Sequence, residues 1–169
     1  MTLKLILTLA LLIVAAPAQT TTTGSGSVQQ EVVLRYFRDV LDGAKVEALD
    51  TLVLPDCAIH RPEGELKGVD ALRKMVAARR ANFSSFTTQV GDIFESGDRV
   101  VVRLRHQRTG KGVYRFRTGL QDITGKTLTW EAIVIFRMQN AKIAEEWVSR
   151  DELGMLLSAG ILQGSGTGH

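Results

Sequence analysis

Apolar and polar positions divide the chain into a helical first half and a stranded second half. Between Ser27 and Asp42, Val33, Tyr36, Phe37, Val40 and Leu41 recur at helical spacing and predict an amphipathic helix. Ser27-Val28-Gln29-Gln30 opens it as a capping box and Gly43 closes it. Lys45 to Leu52 predicts a second, short helix that Pro55 does not let continue. Asp56 to His60 reads as a short strand ended by Pro62, and Glu63 to Lys67 as a polar loop. A third helix, to about Asn82, turns Leu72, Met75, Val76 and the following Phe83 inward. Its other face carries Arg73, Lys74, Arg79 and Arg80, which reads as a solvated surface, with attraction for anions as the alternative.

From Ser85 the period changes to two, and strands are expected until a closing helix. Val100, Val102 and Leu104 alternate with Arg103 and Arg105; the arginines at 103, 105, 108, 115 and 117 are expected on the outer sheet and its loops. Val113 to Leu120 is a weaker strand segment. The run Ala132-Ile133-Val134-Ile135-Phe136 predicts a strand covered on both faces. Gln139-Asn140-Ala141-Lys142 supplies a tight turn into a last strand, Ile143 to Val148. Asp151 stands where a helix N-cap belongs, and Leu153, Leu156, Leu157 and Ile161 follow on one helix side. Helices first and antiparallel strands after predict an α+β fold. A curved sheet whose concave side is closed by the N-terminal helices would enclose a cavity suited to a small ligand.

The N-terminus adds a compartment. Lys4, the apolar stretch Leu5 to Val14 and Ala16-Pro17-Ala18 have the form of a secretory signal peptide, with cleavage expected after Ala18. The predicted organisation is a signal peptide at 1–18, a flexible polar linker at 19–26, one domain at 27–163 and a tail at 164–169. Secreted or periplasmic localisation follows, with no membrane association after cleavage. A single cysteine, Cys57, allows no intramolecular disulfide, so the domain depends on its core, for which 44% hydrophobic residues suffice. A net charge of +3 with 6% aromatic residues gives no footprint for nucleic acid.

Four segments carry a family resemblance: Asp56 to Pro62, Lys67 to Leu72, Ser96 to Arg103, and Ile133 to Gly160 with its Lys142-Ile143, Glu146-Trp147 and Arg150-Asp151-Glu152-Leu153-Gly154. In this order and spacing the chain resembles the SnoaL-like polyketide cyclases and ester cyclases of the NTF2-like superfamily. The resemblance implies an NTF2-like α+β cone, in many members a homodimer formed across the outer sheet face. It also implies chemistry without metal or cofactor, in which a cavity carboxylate acts as base on a small molecule. The family's aspartate falls at Val148, its pocket histidine at Val134, a polar neighbour at Ala132, and a further polar pocket residue close to His60.

With Val134 and Val148 facing the cavity, alternation sends Trp130, Ala132, Phe136, Ala144 and Glu146 there too, and Glu145 and Trp147 outward. The pocket is then apolar with two polar candidates, His60 and Glu146. A carboxylate and an imidazole can share acid–base work when they lie within hydrogen-bond reach. The competing reading pairs Glu146 with an arginine such as Arg61 or Arg103, where it only balances charge. Cys57 is expected in the core, on the strand face opposite His60. His60, His106 and His169 lack ligand spacing, so no metal is expected.

Overall fold

The computed structural model describes residues 26–162. The expected leader, the linker up to residue 25 and the tail lie outside the described residues. Ser27 caps the first helix, α1 (Val28–Arg35), its hydroxyl accepting from the Gln30 amide at 3.1 Å. The helix then widens into a π-helical segment, Tyr36–Asp42, that keeps Tyr36, Phe37, Val40 and Leu41 buried. Gly43 ends it, but the left-handed residue is Ala44, at φ 55°. A 3-10 turn (Val46–Ala48) and α2 (Leu49–Leu52) complete this helical edge.

Next come β1 (Val53–Arg61), β2 (Gly64–Lys67) and α3 (Val69–Asn82). The polar segment expected as a loop is therefore partly a strand, because Ala58 to Arg61 offer β2 a free antiparallel edge. Three long strands follow, β3 (Phe83–Ser96), β4 (Arg99–Gly110) and β7 (Thr127–Gln139). The weak segment between them is a separate two-stranded ribbon, β5 (Val113–Phe116) and β6 (Gly119–Asp122). β8 (Lys142–Arg150) returns from the Asn140-Ala141 turn, where φ values of 52° and 54° match a type I′ hairpin.

The six-stranded sheet has the order β2-β1-β8-β7-β4-β3, antiparallel except where β1 meets β8. The fold is the expected α+β cone: a curved, antiparallel-rich sheet with helices on its concave side. Two apolar clusters fill it. The larger lies under the N-terminal helices, where Tyr36, Phe37 and Phe136 pack edge-on with centroids 5.7 to 5.9 Å apart. The smaller gathers Phe83, Phe116, Ile123, Leu128, Met155 and Leu156 beneath α4 (Glu152–Ser158). Asp151 caps α4, accepting from the Gly154 amide at 2.7 Å.

Two further expectations need correction. The run in β7 is covered on one face only: Ala132, Val134 and Phe136 are buried, while Ile133 and Ile135 are 50% and 39% exposed. On α4 the buried residues are Glu152, Met155 and Leu156, and Leu153 and Leu157 face solvent, because the helix docks through Met155 rather than through its leucine pair.

Candidate functional site

A cavity opens where the two apolar clusters meet. Strand alternation supplies its walls. β8 turns Glu146, Val148 and Arg150 inward, β7 turns Trp130, Ala132 and Val134, and β4 turns His106 and Arg108. Arg61 from β1, Arg79 from α3 and Tyr114 from the ribbon close it. The inner chamber is about 50 Å³, enough for a few water-sized groups. Arg61, Arg79 and Tyr114 also border an outer recess of about 250 Å³ that includes Leu66, Met75 and Ala78.

A bulge aims the carboxylate. β8 pairs Glu145 with Arg137 and Ile143 with Met138, so Ala144 is the extra residue. Ile143 and Ala144 are both buried, and the phase shifts so that Glu146 points inward. Glu146 is 2% exposed; Tyr36 donates its hydroxyl to Oε2 at 2.8 Å and Arg61 donates Nη2 to Oε1 at 2.8 Å. Burial and the adjacent Glu146 push the Tyr36 phenol well above its ordinary range, so it serves as a donor. The two partners satisfy both carboxylate oxygens, a condition for keeping a charge in so dry a place. The sequence alternative that Glu146 pairs with Arg61 therefore matches the geometry; Arg103 instead pairs with Asp92 at 2.6 Å.

The histidine of this cavity is His106. On β4 the row Val102, Leu104, His106, Arg108 is buried throughout. The His106 ring lies 5.2 Å from Trp130 and 6.4 Å from Phe37, centroid to centroid. Its Nδ1 lies 3.2 Å from Arg108 Nη2 and 2.9 Å from Thr88 Oγ1. Arg108 has only protons to offer, which assigns Nδ1 as acceptor and the proton to Nε2. Burial, then Arg108, Arg79, Arg61 and Arg150 in that order, lower its pKa to about 2. His106 is thus a neutral imidazole at any physiological pH.

His60, by contrast, is not beside Glu146. It sits in register with Trp147, stacked on that indole at 5.3 Å, with Nε2 2.9 Å from Glu145 and Nδ1 2.9 Å from Glu65. This is the outer face of the sheet. The bond to Glu145 raises its pKa; burial opposes this, and Glu65 adds to the rise. The inward row of β1 is Cys57, Ile59 and Arg61, so the pocket receives Arg61 in place of His60. Cys57 is buried as expected, and burial, with Glu146 and Asp56 adding, pushes its thiol up to about 11.

Of the expected lining residues, Trp130, Ala132, Val134 and Val148 border the chamber. Phe136 and Ala144 do not: Phe136 lies in the aromatic packing around Tyr36, and Ala144 is taken up by the bulge. Val134 and Val148 pair directly across β7 and β8, so the two positions where the resemblance implies polar residues form one apolar patch.

The arginines are distributed differently from expectation. Arg108 is buried and paired with Asp42 at 3.1 Å, because it continues the inward row of β4. Arg150 pairs with Glu63 at 2.6 Å. The basic face of α3 splits: Arg73 pairs with Asp50, Arg80 bonds the Asp42 carbonyl and lies 4.0 Å over Phe86, and Arg79 enters the cavity. Burial, then the neighbouring Arg61, lower the Arg79 pKa to about 10, which leaves it charged. His106, Arg108 and Arg79 were the residues missed from sequence. Carrying the β4 alternation two steps past Leu104 finds the first two; nothing in the pattern singles out Arg79 from its helix neighbours.

Comparison with known proteins agrees with the fold. The family model described as SnoaL-like polyketide cyclase matches residues 31–158. No curated protein matches the sequence significantly. Among solved structures, TsrD from Streptomyces laurentii superposes with a TM-score of 0.69 at 18% identity, covering 80% of this chain and 96% of its own. A protein from Acidithiobacillus ferrooxidans gives 0.70 at 21% identity, with 83% and 100% covered. A SnoaL-like polyketide cyclase from Agrobacterium tumefaciens gives 0.63 at 20% identity, with 76% and 95% covered.

Proposed function

Because the chain belongs to the SnoaL-like polyketide cyclase family, we propose that it binds a small, mostly apolar molecule in its cone and acts on it by cofactor-free acid–base chemistry. The reaction class is proton abstraction beside a carbonyl, as isomerases and cyclases use. The observation that carries this is Glu146, a buried carboxylate in the chamber wall one inward step from the valine at the family's base position. Glu146 takes the proton. Arg61, already bonded to it, and the Nε2–H of His106 offer donors to the enolate oxygen that forms. Trp130, Val134 and Val148 exclude water and hold the apolar body.

The test follows deuterium exchange next to the carbonyl of a β-keto methyl ester by proton NMR. Glu146→Gln should slow protein-catalysed exchange by about a hundredfold or more. Exchange that continues unchanged in this variant would reduce the protein to a ligand-binding module of the same fold.

Two further features belong to the same reading. The Lys4 to Ala18 segment supports export, checked by a mature N-terminus at Gln19 in the secreted protein. The exposed Ile133 and Ile135 support a homodimer through the outer sheet face, which a monomeric mass in light scattering at micromolar concentration would exclude.

A further inference from the structure

Four arginines reach one small chamber: Arg61, Arg79, Arg108 and Arg150. Three are answered by carboxylates, namely Glu146, Asp42 and Glu63. Arg79 makes no ion pair and no side-chain hydrogen bond with any described residue. Arg61 Nε and Arg150 Nε are also buried without an acceptor, although Glu152 Oε1, 3.7 Å from Arg150 Nη2, is a buried acceptor that offsets the second. Arg79 is half-buried, so its guanidinium keeps some contact with water, yet it has no acceptor among the described residues and stays open to an anionic partner. A planar guanidinium is best answered by a planar anion, a carboxylate bonded through both oxygens.

Size decides how such a ligand would lie. The inner chamber of about 50 Å³ is too small for a six-membered ring, which occupies a cavity of roughly 150 Å³. The outer recess of about 250 Å³ takes one, against Leu66, Met75 and Ala78. Arg79 stands between the two, bordering both.

We propose that Arg79 is an anion-binding residue and that the pocket's ligand is a small apolar carboxylic acid, its ring in the outer recess and its carboxylate at the chamber mouth. This rests on the reading that the cavity binds a small molecule, and it narrows that molecule to an acid.

Isothermal titration of the purified protein with phenylacetate and with phenylacetamide tests it, since the two probes differ in charge and hardly in shape. Phenylacetate should bind about ten- to a hundredfold tighter. Arg79→Gln should remove that preference and leave phenylacetamide binding unchanged, and Arg79→Lys should keep part of it; circular dichroism checks that both variants fold. Equal binding of acid and amide to the native protein, or an undiminished preference in folded Arg79→Gln, overturns the assignment to Arg79 while the pocket stands. Failure of both probes to bind overturns the pocket itself and the inference with it.

Discussion

The sheet carries one histidine on each face, and the two are treated in opposite ways. His106, on the concave face, is buried among four arginines and held neutral down to about pH 2. His60, on the convex face, lies between Glu65 and Glu145 and is pushed toward its charged form. Burial accounts for only part of the contrast. The inner face collects cations whose carboxylate partners are mostly engaged, whereas the outer face gives a histidine two carboxylates at once. Among the described residues the concave face therefore holds one arginine, Arg79, with no carboxylate partner, while His60 on the convex face has two.

The largest effect should come from breaking the inner face at its ion pair. Arg61→Met leaves Glu146 buried without its cation and should cost about 3–5 kcal/mol in urea unfolding. Arg61→Met with Glu146→Leu should recover most of that, and a double variant as unstable as the single would contradict the pairing.

Next in size is the acid response of His106. The unfolded histidine binds a proton below about pH 6.5 and the native one does so only near pH 2. The unfolded state thus holds more protons in this window, and stability falls with falling pH by about 1.4 kcal/mol per unit. His106→Asn should flatten the slope between pH 6 and 4 relative to the native protein, and parallel curves would show that His106 is not held neutral.

Asp151→Ala touches neither histidine. It should cost ~1 kcal/mol through the lost cap, with the proposed proton exchange unaffected, and so calibrates a purely local loss.

The smallest change is expected outside. His60→Gln should cost less than about 1 kcal/mol, because its partner Glu65 is largely exposed. The sign is opposite to that of His106. The native pKa is raised, so the contribution is fully present below the unfolded value and is lost as pH rises through the native one. The difference between the two proteins should vanish above that range; a difference that grows with pH would place His60 in some other environment.

Much of the fold was legible because its signals are local. The capping Ser27, the Asn140-Ala141 turn and the Asp151 cap follow from local cap and turn chemistry, whereas the inward row from Trp130 to Phe136 needed the family resemblance to set its phase. The site was half legible. Alternation counted back from Val148 reaches Glu146, while counted forward from the buried Ile143 it would reach Glu145; only the Ala144 bulge reconciles the two. His60 could have been rejected from sequence, since the odd spacing that buries Cys57 turns His60 outward. His106 and Arg108 were passed over because polar residues on an alternating strand look like the solvent side. There the strand's apolar phase is the better guide than residue polarity. Arg79 depended on which way one helix rolls against a cavity, which no local pattern encodes.

The parallel contact between β1 and β8 bears on the order of assembly. Ile59 lies opposite Glu146, and His60 opposite Trp147, so the first strand waits for the last one. Contacts so distant in sequence form late, after the loss of chain entropy has been met by nearer pairs such as β3 with β4 and β7 with β8. Arg61 and Glu146 sit on these two strands. Until they join, each charge remains hydrated and the chamber has no wall. Synthesis must reach the final strand before any ligand has a place to bind, and a chain stalled short of Lys142 would expose the unpaired edge of β7 to aggregation.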